Sequence, residues 1–105
     1  MRLNPRYQRG FHLAGIGLAR LVNHRFEEAL GALRVSIEEA SAFTPAYRGL
    51  AACYAHTGRL DEARSTVKRL LALTPVAVPT AIPFRDPEHR ELLLSGLRLA
   101  AGETT

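Results

Sequence analysis

Two stretches of this chain, residues 13–41 and 47–75, carry one pattern displaced by 34 positions. The second copy reads Tyr47-x2-Leu50-Ala51-x2-Tyr54, then Ala63-x3-Val67, then Pro75. The first reads Leu13-x2-Ile16-Gly17-x2-Arg20, then Ala29-x3-Leu33, with Ser41 at the place of the proline. Gly15 and Gly49, Arg25 and Arg59, Phe26 and Leu60, Glu28 and Glu62, and Arg34 and Lys68 fall in the same register. A period of this length makes each unit the same supersecondary element, and one such unit cannot bury its apolar face alone, so neighbours must stack. Small residues at Gly17, Ala51, Ala29 and Ala63 mark where two backbones approach closely, with Leu, Ile, Phe and Tyr filling the gaps. Each unit is therefore expected to be a pair of antiparallel helices.

Helix starts are announced three times by a capping residue followed by proline: Asn4-Pro5, Thr44-Pro45 and Asp86-Pro87. The side chain accepts an orphan amide hydrogen bond, and proline fits the first turn, where its missing N–H costs nothing. The pattern predicts helices over about 5 to 22, 25 to 40, 45 to 57, 60 to 73 and 87 to 101, and no strands. Thr57-Gly58-Arg59 closes the second hairpin, with glycine free to take the left-handed conformation. His24 holds the same position in the first, preceded by Asn23, a residue that tolerates that conformation. Glu27-Glu28 and Asp61-Glu62 open the second helix of each hairpin, where negative charge meets the positive end of the helix dipole. Pro75, Pro79 and Pro83 exclude helix between the repeats and the last helix. That helix carries an apolar stripe, Leu92, Leu93, Leu97 and Ala100, with Gly102 after its end.

The repeat resembles the tetratricopeptide family, with tyrosine in place of the family's leading tryptophan in the second copy. The resemblance implies an all-α fold: a right-handed stack of helical hairpins, two repeats at 5–41 and 44–75, a proline-rich linker at 76–86 and a capping helix at 87–102, making 1–105 a single domain. It implies a non-catalytic protein-interaction module whose concave groove is lined by the first helix of each hairpin. The groove positions here are Phe11, Ala14, Leu18, Leu21 and Val22 in the first repeat and Pro45, Arg48, Ala52, Ala55 and His56 in the second. The Lys and Asn clamp with which some relatives hold a chaperone's terminal carboxylate is missing: Ala14, Leu18, Arg48 and Ala52 stand there. The run from Pro83 to Gly102 resembles the closing segment of tetratricopeptide arrays that follow bacterial nucleotide cyclase or winged-helix regulator domains. That implies the tail of a longer regulator, or a short relative without its partner domain.

The first helix is apolar nearly all round, with Leu13, Ile16 and Ala19 expected toward its own hairpin. A helix apolar on all sides is normally buried on all sides, so something further must cover it. The favoured cover is a second copy of the chain, because closed two-fold dimers are the commonest soluble assembly. The chain's own N-terminal segment or an external protein or peptide are the alternatives. The partner-binding residues expected on this reading are Phe11, Ala14, Leu18, Leu21, Val22, Arg48, Ala52 and His56.

Other classes find less support. Thirteen arginines and one lysine against ten acids give a net charge of +4, and five arginines precede the first acid, Glu27. Contact with nucleic acid through Arg2, Arg6, Arg9 and Arg20 follows as one alternative, although no stacking platform or recognition helix accompanies them. No apolar run reaches the ~20 residues that span a bilayer, and the first ten residues lack a signal peptide's apolar centre. The single cysteine, Cys53, excludes an internal disulfide and fits a reducing compartment, so the reading is cytoplasmic. Gly15-Ile16-Gly17 lacks the strand and third glycine of a dinucleotide site, and His12, His24, His56 and His89 show no paired metal-ligand spacing. No cofactor, metal or catalytic group is expected. The rival from another class is a small-ligand or enzymatic site in the groove, centred on Arg48, Tyr54, Cys53 and His56.

Overall fold

The computed structural model describes residues 5–79 and 84–102. Among them are five helices and no strand: α1 (Pro5–Val22), α2 (Phe26–Glu39), α3 (Thr44–His56), α4 (Leu60–Leu71) and α5 (Pro87–Ala100). α1 pairs with α2 and α3 with α4, and the second hairpin stacks on the first mainly through α3 on α2.

The period holds at the level of single hydrogen bonds. In the first hairpin the His24 amide donates to Leu21 O and the Arg25 amide to Arg20 O, and 34 residues on Gly58 donates to Ala55 O and Arg59 to Tyr54 O. Both turns close on a left-handed residue, Gly58 at φ 78° and His24 at φ 61°. The first hairpin thus places His24 itself, and not Asn23, in the conformation glycine adopts without cost. Asn23 serves the turn differently, donating from Nδ2 to Ala19 O at 2.8 Å. His24→Gly should therefore raise stability by about 1 kcal/mol, the order of penalty for a side chain in this region, measurable as an upward shift in thermal midpoint.

α1 meets α2 along Gly10, Ala14, Gly17 and Leu21, the residues it buries. A Cβ on Gly17 would lie 2.5 Å from Leu33 Cγ, and one on Gly49 would lie 2.8 Å from Leu18 Cδ2 and 3.1 Å from Leu33 Cδ1. Leu33, with no exposed surface, is held between α1 and α3. Deeper in the first hairpin the buried Ser36 hydroxyl donates to Gly10 O at 2.6 Å, satisfying a polar group that would otherwise be costly to bury.

The capping expectations divide. Asp86 Oδ1 accepts from the Glu88 amide at 2.9 Å and starts α5 as foreseen. Thr44 does not cap: α3 begins one residue earlier, with Phe43 in the cap position and no side-chain cap bond. The Thr44 hydroxyl instead accepts from Arg48 Nη1 at 3.3 Å, a partner one turn ahead that sequence-local reasoning did not weigh. Asn4 lies outside the described residues.

α5 packs chiefly on α3, lightly on α4, and also reaches α1. A third layer of the stack would lie mainly on α4, as α3 lies on α2. α5 instead crosses the row formed by the first helices of the two hairpins.

Candidate interaction site

The eight residues expected to bind a partner occupy very different environments. Ala14 and Leu21 are in the core at 1 % and 0 % exposure, because α2 closes against that side of α1 through Gly10 and Gly17. Leu18 is half-buried against Gly49, and Phe11 packs on Phe43 in a tilted arrangement with ring centroids 4.6 Å apart. Val22 is half-buried. Ala52 is fully buried, with α5 lying directly over it: a Cβ on Gly96 would come within 2.8 Å of Ala52 Cβ. His56 stacks on Phe26 at 5.5 Å, and its Nε2 lies 2.6 Å from Leu92 O on α5. A carbonyl only accepts, so Nε2 carries the proton. Arg48 reaches the segment after α4, donating to Val76 O at 2.9 Å and Ala77 O at 3.3 Å. Its half-buried guanidinium is held below its ordinary pKa by loss of solvation, yet an arginine remains charged. The inner face of α3 is therefore covered by α5 and the segment after α4, and Ala14 and Leu21 of α1 are taken up by the packing on α2.

An open edge lies on another face of α1. In the second repeat Ala46, Gly49, Leu50 and Cys53 are all buried; Gly49 meets Leu18 and Leu33, so this face of α3 is the one that packs on the preceding hairpin. Their counterparts 34 residues earlier are His12, Gly15, Ile16 and Ala19. Ile16 is half-buried and the other three are exposed, and a Cβ on Gly15 would meet nothing within 4 Å. On α2 the exposed Gly31 and Val35 occupy the places that Ser65 and Arg69 hold on α4, beside the first hairpin. Ala19, expected to turn toward its own hairpin, belongs to this open edge. Sequence reasoning missed the edge, although the 34-residue register already paired Gly15 with Gly49 and so marked the face on which a neighbour packs.

The groove chemistry of the rival reading is not assembled. Arg48 and His56 face the inner side, whereas the Tyr54 hydroxyl accepts from Arg34 Nε at 2.9 Å on the opposite side, between α2 and α4. Cys53 is fully buried, and desolvation, with a smaller contribution from Glu27, pushes its thiol up to about 12. The thiol stays protonated at neutral pH, and thiolate is the reactive form. Cys53 should resist a thiol reagent at pH 8 in the native state and react fully on denaturation, a contrast read by absorbance titration. No group of three histidine, cysteine or acidic side chains converges among the described residues.

The basic end is partly neutralised. Arg6 Nε pairs with Glu39 at 2.7 Å and Arg9 lies 3.6 Å from the same carboxylate, whose pKa is lowered by the Arg6 hydrogen bond and the two cations. Arg2 lies outside the described residues. No described helix is long and apolar enough to cross a membrane.

The comparisons with known proteins agree with this architecture. No curated protein and no solved structure matches the chain. A family model for the tetratricopeptide repeat matches residues 20–79, more than half of the 105 residues, and covers α2, α3, α4 and the turns repeated at 34-residue spacing. With that match, the repeated hydrogen bonds and the stacked hairpins, the chain belongs to the tetratricopeptide repeat family.

Proposed function

We propose that this chain is a protein-interaction module that joins a second copy of itself through the outer edge of α1. Tetratricopeptide repeats generally mediate protein–protein interaction. The observation that carries the finer reading is the pairing of His12, Gly15, Ile16 and Ala19 with four buried positions one repeat later, while the edge itself lies uncovered. An edge shaped to receive a neighbour, with none seated on it among the described residues, suits a closed two-fold contact in which each copy supplies the same patch. The likeness of the closing segment to arrays behind regulator domains names the competing neighbour, an upstream domain.

Gly15→Arg separates assembly from folding, since no atom stands in the way of a side chain at that position. Arginine also forms helix better than glycine. The variant should keep its circular dichroism while self-association weakens by about 100-fold or more, the scale of burying one unpaired charge. Leu99→Glu, on the exposed side of α5 at 47 % exposure, should leave association unchanged. Equal effects from the two substitutions would count against the reading.

A further inference from the structure

We infer that the cleft between α2 and α4 binds a small zwitterion, an amino acid or dipeptide with an apolar body, holding its carboxylate on Arg34 and Arg69 and its ammonium on Glu38 and Glu62. The site lies within one chain, on the side of α2 that faces α4, and so stands independently of how the α1 edge assembles.

The cleft exists because the second helices of the two hairpins do not pack on each other; each packs against α3, which forms the floor between them. The space left is a cavity of about 380 Å³, within the range of small-molecule sites. Its floor is apolar where Ile37, Leu50 and the Tyr54 ring are buried. Its walls carry two guanidiniums and two carboxylates, Arg34 and Glu38 from α2 and Glu62 and Arg69 from α4. The lining charges sum to zero, which disfavours a simple anion or cation and suits a ligand bearing one charge of each sign.

Both arginines are positioned by aromatic rings. Arg34 Cζ lies 5.5 Å from the centroid of Tyr54, whose hydroxyl accepts from Arg34 Nε at 2.9 Å, and Arg69 Cζ lies 5.3 Å over the Tyr47 ring. A guanidinium lying on a ring keeps N–H donors in its plane for a carboxylate. Arg34 Nη2 stands 3.8 Å from Glu62 Oε2, beyond the roughly 2.9 Å of a charge-assisted hydrogen bond. Among the described residues neither the Arg69 guanidinium nor the Glu38 carboxylate makes an ion pair, although both line the cavity. The repeat does not require these charges, since Val35 stands 34 residues before Arg69 and Ala72 stands 34 after Glu38.

The test is calorimetric titration of the full chain with leucine and with leucylglycine. At least one of them should bind saturably with a dissociation constant of about 1 mM or below, and N-acetyl-leucylglycinamide, the same body without either charge, should not bind. Arg69→Gln and Glu38→Gln, both at exposed positions, should keep their circular dichroism and each weaken binding by about tenfold or more, the scale of one lost charged hydrogen bond. Lys68→Gln, exposed on α4 but outside the cleft, should leave it unchanged. Absence of saturable binding by either zwitterion at about 10 mM overturns the inference. So does equal affinity for the capped compound, or binding that either cleft variant leaves intact.

Discussion

Leu33→Ala is expected to lower stability by about 2–5 kcal/mol, the range for removing a buried leucine that leaves a cavity. For a domain of this size that corresponds to a fall of roughly 10–30 °C in thermal midpoint. The upper half of the range is the better expectation, because Leu33 is enclosed from two helices at once: its side chain fills the space that a Cβ on Gly17 of α1 and one on Gly49 of α3 would enter. Glycines cannot lean in to refill a void, so the site relaxes little. The loss should appear in both hairpins together, since Leu33 joins α1, α2 and α3. Calorimetry showing two separate transitions in the variant, or a shift of only a few degrees, would contradict this placement.

The second large effect is a contrast between glycines on one helix. A Cβ on Gly10 would lie 2.6 Å from Ala40 Cβ, 3.1 Å from Ala40 N and 3.1 Å from Ser36 O. These neighbours are backbone or the base of a side chain and cannot rotate away, and the Ser36 hydroxyl bond to Gly10 O would be strained with them. Gly10→Ala should cost about 1–3 kcal/mol, as overpacking does, despite a gain in helix propensity. Gly15→Ala, five residues on and with nothing within 4 Å, should stabilise the isolated chain by up to about 1 kcal/mol. Denaturant titration of both variants reads the opposite signs directly.

Much of the architecture was legible in the residues. The 34-residue register set the two hairpins and the left-handed turns at His24 and Gly58, and Asp86-Pro87 marked the last helix. These are local signals, repeated or reinforced by capping chemistry. The orientation of α1 was not legible in the same way. Apolar residues surround that helix, so periodicity could not say which side α2 would take. The answer depended on Gly10 and Gly17 offering the close approach, which put Ala14 and Leu21 in the core and left Gly15, Ile16 and Ala19 at the edge.

The docking of α5 was equally hidden. Its contact with Ala52 and His56 spans 44 and 40 residues of sequence, from Gly96, and no local pattern records such a contact. The glycine at 96 within an otherwise leucine-rich stripe was the one signal, since a helix-interior glycine is unfavourable unless another backbone comes close. Surface ion pairs tie α2 to α4 through Arg34–Glu62 at 3.8 Å and to the turn just before α4 through Arg59–Glu27 at 3.4 Å. Exposed as they are, they add little to stability and do not alter the account.

The central claim is that the α1 edge receives a second copy of the chain. Light scattering of the wild-type protein over a roughly hundredfold dilution series tests it most directly, since association makes the mass depend on concentration. The expected result is a mass of twice 11.5 kDa at the upper concentrations, falling toward the single-chain value on dilution. A mass of 11.5 kDa at every concentration, with helicity intact, would contradict it.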